Sequence, residues 1–181
     1  MNAPRIAPVT DPSPEVVELF TKGGLTAPDG TPLNIFATLA HHPALLRRWL
    51  VFAAHVLSKS TLSPRLRELA ILRTGWNCRS RYEFAQHAEI ALRSDISADE
   101  VNRTKEPIDG RWSSLDAAVL RAADELHHDA VIGLDTWTTL VEHLTTEQVL
   151  DLIFAVGQYH TVAFALNSTG VTLDEGVPDV L

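Results

Sequence analysis

One stretch, residues 63–92 (S-P-R-L-R-E-L-A-I-L-R-T-G-W-N-C-R-S-R-Y-E-F-A-Q-H-A-E-I-A-L), limits what this chain can fold into more than any other. It reads as two helices joined by a turn, with polar groups where solubility does not call for them. Ser63 is a good N-cap, Pro64 suits the first helical position, and Gly75 falls where the pattern stops, so the first helix is predicted to end there. At about 100° per residue, Glu68 projects between Ile71 and Leu72, and Arg65, Arg67 and Arg73 scatter around a helix that is otherwise mostly apolar. A carboxylate flanked in this way is expected to be desolvated. In the second helix Gln86, Glu89 and Arg93 share a solvent face. Ser80, Glu83 and His87 follow i, i+3, i+7 spacing on another face, with Phe84, Ile90 and Ala91, on the side expected to pack inward.

R-E-L-A-I-L-R followed by Y-E-F-A-Q-H resembles the carboxymuconolactone decarboxylase and alkylhydroperoxidase-D superfamily. The peroxidase branch carries a Glu, then two Cys, then a His. Counting from Glu68 at that spacing sets Ser80 and Glu83 on the two cysteine positions and His87 on the histidine, so both thiols are missing. N-I-F-A-T-L-A-H-H-P-A-L-L upstream, with A-A-D-E-L-H and V-G-Q-Y-H downstream, extends the resemblance over roughly the whole chain. It implies an all-α, single-domain helical bundle of the alkylhydroperoxidase-D-like type, assembled as a trimer or a dimer of trimers.

The rest of the chain agrees with that fold class on its own terms. No stretch keeps the period-two alternation of a half-buried strand. A Pro-rich extended arm is expected over residues 1–12, an all-α domain over 13–169 and an irregular tail over 170–181 that could lie on a neighbouring subunit. Ser13 and Pro14 open a short helix stopped by Gly23 and Gly24, and Asn34 is a plausible cap for I-F-A-T-L-A. Pro43 starts a long helix with Arg47 and Arg48 on its wet side. Ser97 with Glu100 and Thr145 with Gln148 are capping boxes, and Ser113 with Asp116 opens the helix between them. The last helix, from Val149 to Leu166, is apolar on nearly all sides, which calls for burial in the fold or against another subunit. Asp151, Gln158 and His160 argue against a membrane span.

Charge narrows the function classes. The 181 residues carry a formal net charge of −8, with a pI near 5.4, and Lys and Arg form no basic stripe, so no nucleic-acid partner is expected. The N-terminus lacks a basic region followed by an apolar one, and a cytoplasmic protein with no membrane partner is expected. The single cysteine, Cys78, forms no internal disulfide.

The candidate catalytic residues are His87, Glu68, Glu83 and Ser80, each weighed against a plainer role. Glu68 is an ion-pair carboxylate or an active-site one, and His87 a hydrogen-bonded core histidine or a proton carrier. Tyr82, Phe84, Trp76 and Tyr159 are candidate substrate-binding walls or simple packing, with Tyr159 and His160 set on an otherwise apolar helix. The pairs His41-His42, His127-His128 and Glu142-His143 lack a metal-ligand spacing and read as helix-end residues, so no metal and no cofactor are expected. The decarboxylase branch implies a cofactor-free enzyme acting on a small organic acid or lactone, in the setting of aromatic compound catabolism. Decarboxylation leaves an enolate, whose charge must be stabilised and whose carbon must receive a proton. His87 suits the proton, Glu68 its orientation, Ser80 the substrate oxygen, and Glu83 a second acid or base. Isomerisation or hydration would use the same parts. A thiol peroxidase of the alkylhydroperoxidase-D type and a non-catalytic helical oligomer are the alternatives.

Overall fold

A computed structural model describes residues 3–180. Among them the chain forms α1 (Pro14–Gly23), α2 (Asn34–Leu39), α3 (Pro43–Ala54), α4 (Pro64–Asn77), α5 (Arg81–Ala91), α6 (Ala98–Arg103), α7 (Ser114–Asp129), α8 (Leu134–His143) and α9 (Thr146–Thr169). No strand is present among the described residues, and Thr26 and Pro32 make only an isolated bridge. The fold is an all-α single domain.

α4 is its axis and packs against α5, α7 and α9. It is apolar in most directions because it is surrounded: Leu66 and all residues from Glu68 to Gly75 are buried. Leu69, Ala70 and Leu72 join Phe84 of α5, the alanines and Val119 of α7, and Leu152 and Val156 of α9 in the main core. Ile71 instead joins Tyr82, Ala155, Tyr159 and Val162 in a second cluster. Glu68 therefore lies on the sector between two apolar clusters. The small residues Ala118, Ala122 and Ala123, all fully buried, let α7 approach α4 closely.

Local signals set most helix starts. Ser63, Ser97, Ser113 and Thr145 each accept a backbone N–H from the first turn, and the two expected capping boxes form in full. Gly75 departs from expectation. α4 runs through it to Asn77, and the turn is made by Arg79 at φ 53°. Gly75 is a contact point instead: a Cβ there would stand 3.2 Å from Glu83 Oε1 and 3.5 Å from the Phe84 nitrogen. Its missing side chain lets α5 close onto α4. Asn34 is likewise not a cap, since Leu33 holds that position. Asn34 is the first helical residue, and its amide donates to the carbonyls of Thr172 and Leu173. The long helix begun at Pro43 changes to a π-helical turn over His55–Lys59, and within α3 only Leu46 is buried.

Both end segments lie on their own chain. Arg5 donates its backbone N–H to Thr169, and Val9 to Ala37. In the tail, Asp174 accepts from the Asn34 N–H at 2.7 Å, from Gln86 at 2.6 Å and from the Tyr82 hydroxyl.

Arg73 ties α4 to α7 and to the segment after α6. Its guanidinium grips Asp124 twice, at 2.6 and 2.8 Å, and donates to the carbonyls of Thr104 at 2.7 Å and Glu106 at 2.8 Å. Removing one partner from such a buried group leaves the others unsatisfied. Arg73→Leu is expected to cost about 3 kcal/mol in urea unfolding, and the Arg73→Leu/Asp124→Leu double variant less than the sum of the two single losses. A loss below about 1 kcal/mol would show that the clamp does not hold these elements together.

Candidate functional site

The turn after α4 brings the polar face of α5 against Glu68. Ser80 caps α5 by position only, and its hydroxyl, fully buried, has no hydrogen-bond partner among the described residues. One turn on, both oxygens of Glu83 are buried and equally unpartnered. One turn further, His87 is 7% exposed and Glu68 is 0% exposed, and His87 Nδ1 stands 2.7 Å from Glu68 Oε2.

That contact defines the chemistry of the pair. An ionised carboxylate only accepts, so His87 donates from Nδ1, and in the neutral ring Nε2 then carries the lone pair. Arg67 donates from Nε to the other Glu68 oxygen at 2.9 Å, which leaves Oε2 for the imidazole. Burial pushes the Glu68 carboxyl up, but the charges and hydrogen bonds of His87 and then Arg67 outweigh it, and the net shift is downward. Glu83 has no such partners, and burial alone raises its carboxyl well above the ordinary value. Two carboxylates in one region are thus driven apart, one ionised and one holding its proton.

Tyr159 completes the group from α9. Its ring stands edge-on to His87, with centroids 4.7 Å apart. Burial first, then the charges of Glu68 and Glu83, keep its hydroxyl protonated. The other candidate walls go elsewhere. Phe84 is fully buried in the main core and Trp76 packs against that core, so both serve packing. The Tyr82 hydroxyl is committed to Asp174.

Two clefts open nearby. One, of about 270 Å³, is lined by Arg79, Arg81, Tyr82 and the chain after α9. The other, of about 340 Å³, lies among Phe52, Ile153, Phe154, Gly157, Gln158 and Thr161. Neither is lined by Glu68, Ser80, Glu83 or His87. Pairing between Glu68 and His87 follows from the sequence reading, whereas an enclosed chamber beside them is not formed by either cleft of the single chain. Arg67 as the second partner of Glu68 was not anticipated. It is the adjacent residue, and helical geometry ordinarily points neighbours apart.

Cys78 is half-buried, and burial, followed by the charge of Glu83, pushes its thiol up to about 11. It is a poor nucleophile at neutral pH.

Residues 43–125, which include Glu68, Ser80, Glu83 and His87, match the Carboxymuconolactone decarboxylase family. No curated protein matches the chain by sequence. Among solved structures, the alkylhydroperoxidase AhpD core of an uncharacterized peroxidase-related protein from Ralstonia eutropha JMP134 superposes with TM-score 0.74 at 18% identity, over 88% of this chain and 83% of that one. An uncharacterized peroxidase-related protein from Silicibacter sp. TM1040 gives TM-score 0.77 at 14% identity, over 98% and 97%. The debrominase Bmp8 in complex with 2,3,4-tribromopyrrole gives 0.76 at 14%, over 97% and 94%. At these identities the likeness is one of fold.

The state of Glu83 has a measurable consequence. A carboxyl with a raised folded pKa keeps its proton where the unfolded chain has lost it, so stability falls as pH rises from the unfolded value of 4.5 toward the folded one. The slope is up to about 1.4 kcal/mol per pH unit. Glu83→Gln is therefore expected to be more stable than the parent in urea unfolding, with a gain that grows between about pH 5 and about pH 7. A difference independent of pH would show that Glu83 is not held protonated.

Proposed function

Because the chain belongs to the carboxymuconolactone decarboxylase and AhpD-like superfamily, we propose that it is a cofactor-free enzyme performing decarboxylation, or a related proton transfer, on a small organic acid or lactone. The observation that carries this reading is the buried Glu68–His87 pair, set close to a second carboxyl that keeps its proton.

In the proposed reaction the bond from the substrate carbon to its carboxylate breaks, carbon dioxide leaves, and the electron pair enters the conjugated carbonyl as an enolate. Ser80 and protonated Glu83 are hydrogen-bond donors without partners, suited to the developing oxyanion. His87, charged at the start of the step, delivers the proton to carbon, and solvent restores it. Glu68 keeps the imidazole oriented and stabilises its charged form. One proton is consumed for each carbon dioxide released. Thiol redox chemistry is not this reading, because the one thiol is held protonated by burial.

A single chain does not enclose the substrate, and the outer side of α9 supports assembly as the remedy. Leu150, Phe154, Gly157, Thr161 and Phe164 are all exposed and alternate at four- and three-residue steps, the seam spacing of packed helices. The second cleft lies on this seam, and Gln158, which lines it, precedes Tyr159. A second copy closing over that cleft would shape a chamber on the Tyr159 side.

Two outcomes are expected. In deuterated water, a carboxylated conjugated lactone should release carbon dioxide and gain one deuterium at the carbon that lost it. His87→Ala should slow this by about 10²–10⁴-fold with the fold intact by circular dichroism. An unchanged rate in that variant would remove His87 from the mechanism. Light scattering should give a multiple of the 19.9 kDa chain, a trimer or a dimer of trimers, and Phe154→Glu/Phe164→Glu a smaller species. A monomer at micromolar concentration would sink the shared chamber.

A further inference from the structure

Cys78, His127 and His160 come from three helices that meet beyond the Glu68–His87 pair, and the reading above gives none of them a task. Cys78 is the C-cap residue of α4, His127 lies in the last turn of α7 and His160 in the middle of α9. The Cys78 sulfur is 3.9 Å from His127 Nδ1, His127 Nδ1 is 2.9 Å from His160 Nε2, and all three ligand atoms lie within 4.8 Å of one another. From sequence, His127 and His128 read as one helix-end pair. The structure separates them: His128 donates to the carbonyl of Asp124 at 2.8 Å, while His127 turns its Nδ1 toward His160.

The donors are fixed before anything binds. His160 Nδ1 donates to the Val156 carbonyl at 2.8 Å, so in the neutral ring Nε2 presents its lone pair to the cluster. Asn167 donates to the Cys78 carbonyl at 2.9 Å and pins the thiol's backbone. Neighbouring Asn77 is tied to Asp124, which Arg73 clamps. A histidine pair sharing one proton accounts for the 2.9 Å contact but gives the sulfur no task. Around a tetrahedral ion with metal–sulfur and metal–nitrogen bonds of ~2.3 and ~2.05 Å, N···N is ~3.3 Å and S···N ~3.6 Å. Both are under about half an ångström from the separations found here.

We propose that Cys78, His127 and His160 form a binding site for one thiophilic divalent transition ion, zinc by preference, with the fourth position open to water. One thiolate and two imidazoles suit zinc or cobalt and disfavour magnesium and calcium, which take oxygen. All three residues are half-buried rather than sealed, so an ion has a path in. Bound there, it would cross-link the ends of α4 and α7 to the middle of α9. The site uses none of the proposed catalytic residues and stands or falls separately.

The test is titration of the full, chelator-treated chain with cobalt(II). The expected result is one ion per chain, with intense tetrahedral ligand-field bands and a thiolate-to-cobalt charge-transfer band, all displaced by one equivalent of zinc. Cys78→Ser should abolish the charge-transfer band. His127→Ala and His160→Ala should each weaken binding by more than the ~10–100-fold typical of an outer-shell loss. His41→Ala/His42→Ala, on an unrelated surface, should change nothing. Cobalt bound without the charge-transfer band, binding unaffected by the His127 and His160 variants, or no stoichiometric binding at micromolar protein would each overturn the site.

Discussion

A carboxylate without solvent exposure in the middle of the central helix is the constraint on which the rest of this structure depends. Taking Glu68 out of water costs on the order of several kcal/mol unless cations or donors meet both oxygens. Arg67 meets one from the same helix, but His87 must come from α5. The requirement therefore reaches beyond α4. The connection between the helices has to be short, Arg79 has to enter the left-handed region, and Gly75 has to lack a side chain so that α5 can lie close. Each of these features would be an oddity alone, and together they are the conditions for one buried hydrogen bond.

The same packing that satisfies Glu68 leaves Glu83 unsatisfied. The two side chains differ little in burial and greatly in company: Glu68 has a guanidinium and an imidazole, and Glu83 has none. A chain selected only for stability would gain by replacing Glu83, since a buried, unpartnered carboxyl lowers stability over the pH range where the unfolded chain ionises. Groups that weaken a fold in this way concentrate where chemistry is done. The unpartnered Ser80 hydroxyl, one turn away on the same face, belongs to the same pattern.

Much of this was legible in the sequence where the physics is local. Ser63, Ser97, Ser113 and Thr145 act on their own first turns, so their signals survive folding unchanged. The common face of Ser80, Glu83 and His87 follows from helical period alone. Gly75 was misread because a glycine that ends a helix and one that admits a neighbouring helix look alike until the neighbour is in place. Asn34 was misread as a cap because its partners, Thr172 and Leu173, lie far along the chain. The grip of Asp174 on α2 and α5 and the gathering of Cys78, His127 and His160 are long-range in the same sense, and no local pattern encodes them. The Arg67–Glu68 contact failed for the opposite reason, since adjacency is weak evidence of contact on a helix.

α9 joins these threads because its two sides have different duties. Val149, Leu152, Val156, Val162 and Leu166 seal the core, while Tyr159 meets the imidazole of the buried pair. Its outer side offers Leu150, Phe154 and Phe164 at 50%, 56% and 63% exposure, too regular in spacing for scattered surface apolar residues. Length and composition alone would let this helix cross a membrane. Its contacts instead divide it between a core that is complete and a seam that is not. The catalytic groups sit behind the complete side, without an open chamber in either cleft of the single chain, and the cleft nearest Tyr159 in sequence lies on the incomplete one. On the proposed reading, the absence of a chamber and the presence of an uncovered seam are one fact: the inner face of α9 positions the acid-base groups, and what covers its outer face decides which substrate can reach them.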